Sequence, residues 1–229
     1  MSENTFSQPI GAPLTTTLPR PLPPHRSFSG RTCRLMPTGI DHAPALFAAF
    51  VAASDNEDWT YLPYGPFTRQ DAFADWLSNA CLGTDPQFYT VFDPDGTALG
   101  LASLMRIDPA FGVIEVGNIH FSRKLQRSPA STEAIFLLMS HIFDDLGYRR
   151  FEWKCDALNA PSRRAAERFG FEYEGTFRQH MSYKGRNRDT AWFALLDGDW
   201  PAQKERFTRW LDPANFDATG QQLRPLARR

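Results

Sequence analysis

The chain is 229 residues long, 42% hydrophobic and 22% charged, with a formal net charge of −1. This suits one globular domain with appendages, large enough to bury a substantial core. The near-neutral balance argues against nucleic acid as the main partner, because gripping a phosphate backbone takes a concentrated positive field.

In chain order, residues 1–29 are rich in Pro, Thr and Ser and cannot build a core of their own. They read as a disordered tail, or as an arm laid across the domain or a partner subunit. Residues 30–200 carry the periodic segments and form the domain, and residues 201–229 add a helix and an irregular tail. Arg31–Met36 alternates as a first strand. Asp41 caps a helix running to about Ala53, with Leu46, Phe47, Phe50 and Val51 on one face. Asp55–Phe67 is a loop dense in aromatic and turn residues. Thr68 to Asp71 opens the next helix as a capping-box-like start, with Phe73, Trp76 and Leu77 as its apolar stripe. Phe88–Phe92 and Ala98–Arg106 are strands joined by the turn Asp93–Gly96.

Ile114 to Phe171 is the most informative stretch. Ile114–Ser122 has the β-branched and aromatic residues of a strand. The polar turn Arg123–Ser128 then meets a helix with Ser128 as N-cap and Pro129 in first position. Backbone donors there, with the helix dipole, make a seat for phosphate. A strand, Arg150–Cys155, breaks at Asp156–Asn159, where another helix starts. Such a βαβα unit fits a cofactor with a pyrophosphate. Gly175–Tyr183 and Thr190–Leu196 are late strands, and Pro201–Leu211 is the last helix. Helices alternating with strands, plus an early and a late hairpin, predict an α/β fold with a mixed sheet and helices on both faces.

Cys33, Cys81 and Cys155 are widely spaced without a C-x-x-C, and His25, His42, His120, His141 and His180 show no ligand spacing. A reducing compartment is expected, with neither disulfides nor a metal. No apolar run approaches the ~20 residues of a membrane span, so no membrane is expected as a partner. No basic stretch followed by an apolar one marks a secretory signal, so the expected location is cytoplasmic.

Glu115-Val-Gly117, Thr132-Glu-Ala134, Asn159-Ala-Pro-Ser162, Phe169-Gly-Phe171, Glu174-Gly175 and Arg188-Asp189 follow one another in order. On these residues Arg31 to Trp200 resembles the GNAT-fold N-acetyltransferases of the RimJ/RimL type, which acetylate amines with acetyl-CoA. The resemblance implies a mostly antiparallel central sheet splayed at one parallel strand pair, with the pantetheine arm lying in the V. It implies that Ile119, His120 and Phe121 bind pantetheine and that Gln126, Arg127, Ser128, Ala130, Ser131 and Thr132 wrap the pyrophosphate. Asn159 would hold the pantetheine amides and Ser162 would lie near the thioester sulfur. One departure stands out. The family's loop reads Q/R-x-x-G-x-G/A, whereas Gln126–Ser131 has no glycine and Pro129 offers no N–H. The hydroxyls of Ser128, Ser131 and Thr132, with the charge of Arg127 or Arg123, are expected to compensate.

Acetyl transfer needs an ammonium to lose its proton, a donor for the thioester oxygen, and a proton for the leaving thiolate. Glu115 is the first expected base, with an ion pair to one of the arginines as its alternative reading. His180 is the second, because histidine titrates in the useful range, with a structural role as its alternative. RimL-like members carry a glutamate near Met181, which cannot do that job. Ser162 is the expected acid, hydrogen bonding the sulfur, or a helix cap beside Pro161. A backbone N–H near Ile119 or His120 is the expected oxyanion donor. Trp59, Tyr61 and Tyr64 are the expected substrate contacts or else pin their loop to the core. Asp55, Glu57 and Asp58 beside them would draw a cationic amine. Cys155 reads as buried structure. The expected function is acetyl-CoA-dependent N-acetylation of a primary amine (a protein N-terminus, an amino acid or a small amine) by direct attack in a ternary complex. The alternatives are a catalytically idle GNAT domain serving as ligand sensor or assembly module, and a transferase using another acyl-CoA. The apolar late strands and Pro-rich arm suggest a homodimer.

Overall fold

Along Gln87–Phe92 successive side chains fall into different hydrophobic cores, Phe88 into one and Tyr89 into the other. That is the two-residue period of a strand covered on both faces. The computed structural model describes residues 2–51 and 56–226. β1 (Ser2–Glu3) and β2 (Pro9–Ile10) form a small hairpin. The main sheet comprises β3 (Phe28–Ser29), β4 (Arg34–Pro37), β5 (Gln87–Phe92), β6 (Ala98–Asp108), β7 (Val113–Phe121), β8 (Arg150–Asp156), β9 (Glu172–Tyr183) and β10 (Arg186–Leu196). Its spatial order is β3-β4-β5-β6-β7-β8-β10-β9, antiparallel except for the pair β7–β8. On one face α1 (Ala43–Val51) and α2 (Gln70–Ala80) pack Leu46, Phe50, Phe73 and Leu77 against Phe88 and Leu101. On the other, α3 (Pro129–Ser140), α4 (Ala160–Arg168) and α5 (Trp200–Leu211) pack on Ile114, Val116, Phe151 and Phe193. The mixed sheet with helices on both faces is the predicted one. No helix among the described residues is long and apolar enough to cross a membrane.

The parallel pairing of β7 with β8 stops at Val116 and Trp153. Beyond it β7 runs on to Phe121 and β8 to Asp156 without pairing to each other. The cause lies on the other edge of β7. Leu101 pairs with His120 and Ser103 with Gly117, so Asn118 and Ile119 together oppose Ala102 alone. Such a bulge bends the strand that carries the extra residue. Asn118 takes a left-handed conformation, φ 50°, and its Nδ2 donates to Ser103 Oγ at 3.0 Å. Gly117 keeps the bend close-packed, since a Cβ there would sit 2.4 Å from Met105 Sδ.

Three local expectations change. The first strand begins at Arg34, not Arg31, because the N–H groups of Arg31, Thr32 and Cys33 point at one carboxylate, Glu133 on α3. The helix after Asp41 opens with a 3-10 turn, Ile40–His42, and its expected end at Ala53 lies outside the described residues. α2 has Arg69 rather than Thr68 as N-cap, with no side-chain cap, and Arg69 instead engages Asp71. The Pro-rich segment lies across the domain: Arg20 Nε donates to Leu146 O at 2.8 Å, Tyr148 Oη to Pro21 O at 3.0 Å and Gln87 Nε2 to Pro23 O at 2.8 Å.

Glu133 is the link between sheet edge and helix. It is 7% exposed, takes four hydrogen bonds including one from Thr32 Oγ1 at 2.6 Å, and occupies the space a Cβ on Gly30 would need. Glu133→Ala leaves three amides without their carboxylate, the one on Cys33 buried and the other two partly so, and is expected to cost about 2 kcal/mol or more in urea unfolding. A loss below about 1 kcal/mol would show that this clamp does not hold the edge.

Candidate active site

Where β7 and β8 part, a cleft of ≈ 1070 Å³ opens, at the upper limit of the ~300–1,000 Å³ usual for small-molecule sites. Ile119, His120 and Phe121 line one wall, and Trp153, Asn159 and Ser162 line the other. Gln126, Arg127, Ser128, Ser131 and Thr132 close the end above α3. Ten of the eleven expected cofactor contacts thus share one cleft. Ala130 does not line it: its side chain is buried in the main core.

The helix start explains itself locally. Ser128 Oγ accepts the Ser131 N–H at 3.2 Å, the N-cap bond expected, and donates to Leu125 O at 2.6 Å. The Ser128 N–H is bonded to Leu125 O, and Pro129 has no N–H. Pro129 and Ser131 of the first turn therefore have no N–H to offer an anion. Arg123, one of the two cations expected to compensate, is committed to Glu57 at 3.2 Å and Asp58 at 3.1 Å. Arg127, left-handed at φ 59°, lines the cleft.

On the opposite wall, Asn159 caps α4, its Oδ1 accepting the Ser162 N–H at 3.0 Å. Ser162 Oγ in turn accepts the Trp153 indole N–H at 3.0 Å. With one lone pair held by the indole, the hydroxyl proton turns to Cys155, whose sulfur it hydrogen bonds. The neighbouring Cys155 is buried, and burial raises its pKa, with Ser162 opposing; it stays a thiol at neutral pH.

Four expected site residues stand elsewhere. Glu115 is on β7 before the strands part, 2% exposed and outside the cleft lining. Its carboxylate binds Arg106 at 2.7 Å and Lys154 at 2.9 Å, and Lys154 also holds Glu152 at 2.6 Å. The ion-pair reading applies: this network props the vertex of the V. His180 lies exposed on β9, its Nδ1 3.0 Å from Thr190 Oγ1, also outside the lining. Trp59 and Tyr64 belong to the second core. Trp59 is 4% exposed and edge-on to Phe50 and Phe67, while Tyr64 leans on Trp76. Tyr61 alone of the three aromatic residues reaches the cleft, where its Oη donates to Leu158 O at 3.1 Å. Glu57 and Asp58 line the mouth, and Asp55 lies outside the described residues. The tip of the late hairpin pins this loop, with Lys184 Nζ donating to Trp59 O at 2.8 Å and Arg186 Nη2 to Thr60 O at 3.1 Å.

Sequence reasoning missed Arg164 and Arg168 on α4 and Trp210, Phe216 and Gln222 of the C-terminal segment, all of which line the cleft. For the α4 pair a signal existed. Pro161, Ala165 and Arg168 follow at four and three residues, the spacing of one helix face that starts beside a named site residue. Nothing local marks the tail.

A model of the GNAT acetyltransferase domain matches residues 33–172, more than half of the chain. A crystal structure of a GCN5-related N-acetyltransferase from Brucella melitensis is 50% identical, covering 93% of this chain and 97% of that one, with a TM-score of 0.90. A GNAT-family acetyltransferase structure from Chromobacterium violaceum is 43% identical over 85% of this chain and all of its own, with a TM-score of 0.76. The Bacillus subtilis N-acetyltransferase YnaD, itself uncharacterized, is 25% identical over 155 residues, 67% of this chain and 88% of YnaD. A match to Bacillus subtilis YdaF, provisionally named a ribosomal N-acetyltransferase, is 27% identical over 110 residues and spans 60% of that protein. The chain belongs to the GNAT family of N-acetyltransferases, whose members use acetyl-CoA as co-substrate.

His120 is the imidazole in the cleft wall. It stacks on Phe50 at 3.8 Å, stands edge-on to Trp59 at 4.1 Å, and its buried Nδ1 has no hydrogen-bond partner among the described residues. Burial pushes its pKa down to about 4, partly opposed by Asp58. Unfolded, the ring takes up a proton below its ordinary 6.5; folded, only near 4. The unfolded state therefore binds more protons in this window, and this group's contribution to stability falls as pH drops from about 6.5 to about 4. The contribution lost is on the order of 3 kcal/mol. Urea unfolding near neutral pH and near pH 4 should show a shallower decline in His120→Phe than in wild type. Parallel declines would mean that the ring is not held neutral.

Proposed function

We propose that this chain moves an acetyl group from acetyl-CoA to a primary amine by direct attack in a ternary complex. The observation that carries the reading is the parting of β7 from β8 beyond Val116 and Trp153, which leaves unpaired backbone on both strands facing a cleft. The polar set there fits a pantetheine thioester. Strand backbone at Ile119 to Phe121 can pair with its amides, Asn159 stands across the cleft, and the Ser162 hydroxyl can turn from Cys155 to hydrogen bond the thioester sulfur as it gains charge. A backbone N–H of β7 near Ile119 or His120 supplies the oxyanion donor. Glu57 and Asp58 give the mouth the negative character that suits a cationic amine arriving past Tyr61. A protein N-terminus, an amino acid and a small amine all meet that description.

Glu115 is tied to two cations and His180 lies outside the cleft, so the amine loses its proton to solvent at the open mouth, without a dedicated base. kcat/KM should then rise with pH toward the amine's own pKa, about 7.7–8.0 for a protein N-terminus. Glu115→Gln and His180→Gln should keep the shape of that profile in a thiol-release assay with acetyl-CoA. An inflection abolished by either substitution would assign that residue as base. A protein that takes up neither acetyl-CoA nor CoA in calorimetry, up to high micromolar concentration, would instead be an idle domain. The self-capped, glycine-free start of α3 is the feature that favours this second reading.

The three free, buried cysteines support a reducing compartment, the cytoplasm. A homodimer through β9 completes the proposal. β9 is the sheet's edge, exposed along most of its length, with Tyr173, Phe177 and Met181 uncovered. Two such edges can pair antiparallel about a two-fold axis, covering both at once. Sedimentation should give twice the 26.0 kDa chain mass, and Phe177→Lys should return the monomer. A wild-type monomer at tens of micromolar would end that assignment.

A further inference from the structure

A primary amine is the acceptor in the proposed reaction, and the chain carries four lysines of its own, Lys124, Lys154, Lys184 and Lys204. Three of them have carboxylate partners. Lys124 Nζ lies 3.0 Å from Asp93 and Lys204 Nζ 3.0 Å from Asp144. The buried Lys154 Nζ lies 2.9 Å from Glu115 and 2.6 Å from Glu152. A carboxylate at such range favours the ammonium, and an ammonium has no lone pair with which to attack a thioester.

Lys184 differs. It has no salt bridge to a carboxylate among the described residues, and its Nζ donates to a neutral partner, Trp59 O, at 2.8 Å. Beside it Arg186 Nη2 donates to Thr60 O at 3.1 Å. Partial burial lowers the Lys184 pKa, and the charge on Arg186 lowers it further. Both effects raise the share of free amine near neutral pH.

Its position matters as much. Lys184 and Gly185 make the two-residue turn between β9 and β10, left-handed at φ 49° and 69°, which sets Lys184 at the exposed tip. Trp59 O, which holds the amine, lies between Asp58 and Thr60, and both of these line the cleft. The Asp58 carboxylate is bonded instead to Arg123 at 3.1 Å and Gln126 at 3.3 Å. A lysine amine is thus held at the mouth by which the acceptor enters, on a flexible four-carbon stem.

We propose that Lys184 is a self-acetylation site, served by acetyl-CoA bound in the cleft. The Lys184 nitrogen bonds to the acetyl carbonyl carbon and the carbon–sulfur bond breaks. CoA leaves with that electron pair, and the proton shed by the amine completes it as the thiol. The resulting amide has no charge and a single N–H, which weakens the hold of the hairpin tip on the loop that carries Glu57, Asp58 and Tyr61. The assignment rests on the acetyl-CoA reading and adds a claim about the chain's own surface.

The test incubates the full chain with acetyl-CoA and no other acceptor, and follows each lysine by peptide mass spectrometry over time. Lys184 should gain its acetyl group about tenfold or more faster than Lys124 and Lys204, the advantage of an amine held beside the reacting group. Those two side chains are 67% and 48% exposed and report the uncatalysed reaction in solution. Excess CoA, competing for the cleft, should slow the Lys184 label and leave theirs unchanged. Lys184→Arg should show only the slow labels. Two results overturn the assignment alone, in a protein that binds acetyl-CoA by calorimetry: Lys184 labelled no faster than Lys124 and Lys204, or a Lys184 label that excess CoA does not slow. Wild type that takes up neither acetyl-CoA nor CoA overturns the acetyl-CoA reading itself.

Discussion

One extra residue in β7 governs the site. Two residues, Asn118 and Ile119, face Ala102 alone, and the strand leaves β8 just past Val116. A sheet normally satisfies every backbone group with a neighbouring strand, and leaving a run unpaired costs free energy unless something else binds there. The bulge fixes that exposure as part of the fold. Asn118 can occupy its left-handed conformation because its amide is bonded to Ser103, and Gly117 allows Met105 to approach. The cleft, the placing of Ser162 opposite β7 and the approach to α3 all follow from that bend.

The charges around the V divide into two kinds. At its vertex Glu115, Glu152, Lys154 and Arg106 neutralise one another over distances of 2.6 to 2.9 Å. The network runs on through Arg150 to Glu174, so the buried carboxylates of Glu115 and Glu152 each hold two cationic partners. Lys154 also stacks on Trp192 at 3.9 Å, which joins the vertex to β10. At the far end of the cleft Arg168 donates to Thr132 Oγ1 and lies over the Trp210 ring, with no salt bridge to a carboxylate among the described residues.

The start of α3 shows how one local rule can displace another. Ser128 is a strong N-cap and Pro129 a strong first residue, which stabilises the helix by roughly 1 kcal/mol from the cap. The same features take up or remove amides that a glycine-rich turn would leave pointing outward. Local helix stability and anion binding compete for one set of N–H groups.

What the sequence by itself determined was short-range. The turns and caps at Asp93–Gly96, Ser128 and Asn159 each depend on residues within four positions, and the strands announce themselves by two-residue alternation around turn formers. The family motifs then order these pieces into the splayed sheet, and ten of the expected cofactor residues lie in the cleft. Tertiary structure alone decided what lay in long-range pairing. Glu133 draws Arg31–Cys33 out of the sheet across a hundred residues, and Lys154 reaches from β8 to pair with Glu115. Trp59 and Tyr64 belong to a loop with the composition of a binding loop, but they pack against Phe50, Phe67 and Trp76 in the second core. The tail's place beside Arg168 rests on contacts between segments some forty residues apart. Periodicity and capping are written in neighbouring residues; the partner of a buried charge is set by which strands and helices the chain brings together.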